Sequence, residues 1–292
     1  MSSQPLSLRP TGNLRRRKAV NRVMEGLATV AAIVAVALLL VVVISVARRG
    51  WSALSLDFFT KEPPLFGQTG GGIAPAIVGT VIIVGIATII ALPVGVLVAL
   101  FLTEFADRRS AQLIRLALDL LNGLPSIVIG VFIFGLLVVG HQQSGYAAGI
   151  ALSIIMLPLV ARASQEALQL VPRHQREGAA ALGVSRWRTT LGIVLPAALG
   201  GILTGTILAV ARAAGETAPL LFTSSIFANQ VSTDPTHALA NIPVTIFTLS
   251  ESPSPDDHAR AWAAALVLMG FVLLTSLIGR ALLANSRRRS RA

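Results

Sequence analysis

Arg212 and Glu216 stand at the end of a long apolar run, Ile193 to Gly215, and are the residues most able to do chemistry there. An ionised side chain at mid-membrane costs about 2.5 to 3.5 kcal/mol on insertion scales, so such residues face protein or water and mark substrate paths. Four residues apart, the two fit on one helical face. A guanidinium stays charged at any physiological pH and presents two parallel donors to an oxyanion. Arg212 therefore reads as an anion contact, and a structural ion pair snorkelling to the interface accounts for the same two residues as well. Glu216 either holds Arg212 in place or accepts a hydrogen bond from a protonated oxyanion. Arg162 either adds a second positive point on the path or anchors its helix at the interface.

Other chemistries lack their residues. The only lysines, Lys18 and Lys61, follow Arg17 and Thr60 rather than a glycine-rich turn, so the chain has no phosphate-cradling P-loop. His141, His174, His237 and His258 have no metal-ligand spacing. There is no cysteine, and Ser185 is followed by Arg186-Trp187, which excludes the Gly-x-Ser-x-Gly nucleophile elbow. The sequence calls for no catalytic residue, metal or cofactor of its own.

The elements that must position these residues are membrane helices. The 292 residues are 54% hydrophobic and only 13% charged, where a soluble domain carries about 25% charged. At about 20 apolar residues per crossing, six segments emerge: 28–47, 73–102, 117–140, 146–163, 193–215 and 261–284. The first is longer than a signal core and ends in Arg48-Arg49 without a small-x-small cleavage site, so it reads as a retained helix. Pro93 and Pro158 lie inside the second and fourth, where neighbouring helices satisfy the freed backbone groups.

The net charge of +11 sits in tails and short loops, including Arg15 to Lys18 and Arg287, Arg288, Arg289 and Arg291. That placement sets topology and argues against nucleic-acid binding. Residues 1–27, 104–116 and 162–192 and the stretch from Arg280 onward hold 19 of the 24 basic residues, which predicts cytoplasmic termini and a cytoplasmic 162–192 loop. The 216–260 loop, with Pro235, Pro243, Pro253 and Pro255, reads as irregular extracytoplasmic structure.

Within the 162–192 loop, Glu177-Gly178-Ala179-Ala180-Ala181-Leu182-Gly183 is followed after nine residues by Ile193-Val194-Leu195-Pro196. The composition predicts a short helix opening near Pro172, with Glu177 near its positive amino end, stopped by Gly183, and a second helix starting near Ser185. This spacing resembles the EAA loop of ABC-importer permeases at Glu177, Ala179, Gly183, Ile193, Leu195 and Pro196, with Gly178 in place of the usual alanine. The resemblance implies an all-α, six-helix type I permease fold and a coupling helix, within residues 172–196, that docks on a cytoplasmic ATPase through Glu177, Ala179 and Gly183.

Ala211 to Thr223, Gly71-Gly72-Ile73 with Gly79-Thr80, and Gly123-Leu124-Pro125-Ser126-Ile127-Val128 are similar to the permeases of high-affinity phosphate importers. That likeness implies a permease core over 71–284 and basic tails at 1–27 and 285–292, in a bacterial cell membrane. Its implied partners are a sister permease forming a heterodimer, cytoplasmic ATP-binding subunits, an extracytoplasmic phosphate-binding protein and membrane lipid. The residue chemistry taken alone leaves sulfate or molybdate open as cargo, and an ion-coupled secondary anion transporter as a different class.

Overall fold

The computed structural model describes residues 12–64, 70–224 and 229–289; the ends of the two basic tails, Arg291 among them, lie outside these residues. The chain divides into two units, residues 1–48 and 49–292. Helix α1 (Gly12–Gly50), all but its last two residues in the first unit, extends the expected 28–47 segment at both ends, because arginine and lysine are good helix formers and no proline interrupts the run.

In the second unit, a 3-10 turn at Trp51–Ala53 precedes α2 (Leu56–Thr60), which is capped by Ser55 Oγ accepting from the Phe58 amide at 3.2 Å. Helix α3 (Ala74–Leu100) runs into a wide π turn, Phe101–Phe105. Next come α4 (Arg108–Gly123), α5 (Ser126–Ile133) with a π turn to Val138, and α6 (Gly145–Gln169). A hairpin of α7 (Arg173–Ala181) and α8 (Arg186–Thr189) leads through the π turn Thr190–Val194 into α9 (Leu195–Ala213). Helices α10 (Ala218–Thr223), α11 (Ile242–Ser250) and α12 (Pro255–Arg289) complete the described chain.

Five helical stretches among the described residues are long and apolar enough to cross a membrane; the bent α4–α5 pair adds a sixth when counted as one broken span. The expected third segment, 117–140, is thus not one helix: α4 and α5 meet at 95°. Pro125 is the cause. It has no N–H and disfavours helical backbone at the residue before it, and Leu124 sits at φ −68°, ψ 135°.

The core lies where α3, α6 and α9 meet, with Ile83, Ala87, Leu152, Met156, Ala209 and Ala213 buried together. Lipid is as apolar as leucine, so small residues that let backbones approach closely must do the joining. Gly95 is such a residue, since a Cβ there would stand 2.8 Å from Val160 Cγ1. Gly201 and Gly205, four apart on α9, lie against Ala167 and Ala163 of α6 in the same manner.

The expected irregular 216–260 loop is instead partly helical and partly core. Pro243 and Pro255 occupy the first turns of α11 and α12, where a missing N–H costs nothing. Leu239 and Asn241 are buried. Gly79 gives the Ala240 carbonyl room to approach. Thr80 Oγ1 then accepts from the Ile242 amide at 2.9 Å and donates to the Ala76 carbonyl at 2.7 Å.

Candidate functional site

The α7–α8 hairpin forms as expected, between Pro172 and Ser185. Its stop is a Schellman motif: the Gly183 amide donates to Ala180 O at 3.0 Å and the Val184 amide to Ala179 O at 3.1 Å. That geometry requires left-handed backbone at Gly183, where φ is +72°. Glu177 does not stand at the positive amino end of α7. Glu177 is the fifth of the nine residues of α7, and no acidic residue lies in its first turn. The helix-dipole benefit fades beyond that turn, so Glu177 does not gain it. The wide turn Thr190–Val194, which contains Ile193, comes just before Pro196, whose missing N–H already interrupts the helical ladder.

The hairpin is fastened by residues that the motif does not include. Arg176 Nε and Nη2 donate to Glu104 Oε1 at 3.3 and 3.0 Å, Nη1 to Val171 O at 2.6 Å, and Nη2 to Leu168 O at 2.9 Å. Glu104 lies on the π turn after α3 and is only 9% exposed; a carboxylate so buried must be paired. Leu168 lies in the last turn of α6 and Val171 two residues past its end. On the second limb, the Trp187 ring lies 5.6 Å from that of Phe105.

Glu177, Gly178 and Leu182 of the hairpin are exposed, Leu182 by 84%, and Glu177 borders the cavity that Glu104, Arg173 and Arg176 also line. Ala179 is the only buried residue of α7.

The stretches around Gly123 and Glu216 meet. Helix α5 packs on α10, with a Cβ on Gly130 placed 2.6 Å from Pro219 Cα. The Phe134 and Phe222 rings stand 6.3 Å apart, and Gln143 Nε2 donates to Phe222 O at 3.2 Å. Arg212 is exposed in the last turn of α9. The expected shared helical face of Arg212 and Glu216 is not realised, because α9 ends at Ala213 and Glu216 leaves the helix, its amide donating to Ala213 O. Among the described residues Arg212 and Glu216 form no ion pair. Arg162 pairs with Asp119 of α4.

A family model described as the binding-protein-dependent transport system inner membrane component matches residues 91–288. The chain belongs to this family. It is 40% identical over 267 residues to the phosphate transport system permease protein PstA of Haemophilus influenzae, covering 90% of this chain and 94% of that one. It is 41% identical over 250 residues to PstA of Yersinia pestis, covering 84% of each chain. Among solved structures, an inward-facing conformation of the MetNI methionine ABC transporter aligns with TM-score 0.55 and 19% identity, over 74% of this chain and 94% of that chain. The fold is that of ABC-importer permeases, and the protein is a multi-pass inner-membrane protein.

The matched span of this inner membrane component contains the α7–α8 hairpin, Arg162, Arg212 and Glu216. Sequence reasoning missed Arg176 and Glu104. A signal was present: Glu104 is an acidic residue closing a long apolar run, on the side that the charge count assigns to the hairpin.

Proposed function

We propose that this chain is the membrane-spanning permease subunit of an ATP-driven importer of inorganic phosphate. The observation that carries the reading is the extended likeness to phosphate transport permeases, joined to a hairpin with the spacing of an ATPase-coupling loop. The chain has no P-loop, so a cytoplasmic ATPase supplies hydrolysis and docks on Glu177, Ala179 and the turn at Gly183. Both termini and the hairpin lie in the cytoplasm, in keeping with the clustering of basic residues. An extracytoplasmic phosphate-binding protein delivers cargo, and a sister permease supplies the other half of the pathway. Exposed Arg212 handles the anion, with Glu216 four residues further along the chain and Arg162 as a second positive point on the path. Closure of the ATPase pair then moves the hairpin and rocks the helical core between two states.

The experiment is reconstitution of the assembled complex in proteoliposomes and measurement of ATP-dependent phosphate uptake. The chain by itself should neither bind nor hydrolyse ATP.

A further inference from the structure

The geometry points to the Arg176–Glu104 clamp as the link that carries movement of the α7 hairpin into the α3–α6 core. The inference rests on the permease reading above and adds residues outside its coupling loop.

Helix α7 has little packing of its own. Among its residues only Ala179 is buried, and side chains of Glu104, Arg115, Gln169, Arg173, Arg176 and Arg186 border a cavity of about 660 Å³ beside the hairpin. A helix held so loosely by apolar contact would slide or tilt when pushed, without moving its neighbours. Arg176 prevents this. Its planar fork reaches the turn closing α3 through Glu104 and the end of α6 through two carbonyls. Those two helices pack along the centre of the core. Displacement of α7 therefore pulls on both helices through one side chain. The bonds to Glu104 are charge-assisted and the carboxylate is shielded from water, which makes them stronger and stiffer than surface pairs. The Trp187–Phe105 contact secures the other limb to the same turn, so the Phe101–Phe105 turn receives both limbs of the hairpin.

Arg176 and Glu104 are positioning residues here, since neither touches cargo or nucleotide. Lysine at 176 keeps the charge but loses the fork, because an ammonium is a compact point charge that cannot hold the carboxylate and two diverging carbonyls at once.

The test uses the complete importer in proteoliposomes, with wild type, Arg176→Lys, Arg176→Gln, Glu104→Gln and the double Arg176→Gln/Glu104→Gln. Three quantities are read: assembled complex, ATP hydrolysed, and phosphate imported per ATP. The clamp predicts that each variant assembles and that phosphate per ATP falls at least tenfold for Arg176→Gln and the double, and by several-fold for Arg176→Lys and Glu104→Gln. A purely structural ion pair predicts the contrary pattern, with singles losing complex and the double restoring both complex and stoichiometry. That pattern, or an unchanged phosphate-to-ATP ratio in Arg176→Gln, overturns the inference. Absence of ATP-dependent phosphate uptake by the wild-type complex would instead overturn the permease reading itself.

Discussion

Two glycines five residues apart in the hairpin should respond to the same substitution with opposite signs. At Gly183 the backbone is left-handed, φ +72°, and an L side chain there costs about 1 to 2 kcal/mol. Gly178 lies inside α7 with open space where a Cβ would stand; alanine is favoured over glycine in a helix interior by about 0.8 to 1 kcal/mol. Gly183→Ala should therefore open the Schellman turn about 5- to 30-fold more often, and Gly178→Ala about 4- to 5-fold less often. Amide hydrogen exchange of residues 183 and 184, whose N–H groups donate to Ala180 and Ala179 carbonyls, reads both effects in detergent or nanodiscs. Faster exchange in Gly178→Ala, or unchanged exchange in Gly183→Ala, would refute the turn geometry as the reason for glycine at 183.

Thr80→Val keeps the shape of the side chain but leaves the buried Ile242 amide without its 2.9 Å acceptor. Such a group costs about 1 to 3 kcal/mol, so thermal stability in detergent should fall while Thr80→Ser stays near wild type; equal stability of all three would remove the role assigned to Thr80. Since Arg212 and Glu216 are not paired, Arg212→Gln should abolish phosphate uptake with the complex assembled, and the double Arg212→Gln/Glu216→Gln should not recover it. Recovery in the double would make Arg212 a structural partner of Glu216.

The hairpin is the most legible part of the site, because Pro172 and Gly183 act through their own backbone preferences within a few residues; Ser185 stands at the N-cap position of α8, but its side chain makes no capping bond. The membrane helices were legible for a similar reason: length and apolarity are local properties. The bend at Pro125 was missed because apolar residues continue on both sides of it, and hydropathy does not register a change of direction. The 216–260 stretch departs from the irregular loop that its prolines suggest, because Pro243 and Pro255 open helices. Its burial depends on Gly79 and Thr80, about 160 residues away. The Arg212–Glu216 spacing assumed a helix that Ala213 ends. Arg176 and Glu104 could not be joined by pattern at all, since their contact spans 72 positions and exists only once α3 and α6 are packed.

Uptake of radiolabelled phosphate into proteoliposomes holding this chain, the proposed sister permease, an ATPase and a phosphate-binding protein, with sulfate and molybdate as competitors, decides whether the complex is an ATP-driven phosphate importer. Uptake should require ATP, resist excess sulfate and molybdate, and disappear in Arg212→Gln. Uptake driven by an ion gradient without ATP, or uptake of sulfate or molybdate in preference to phosphate, would contradict that reading.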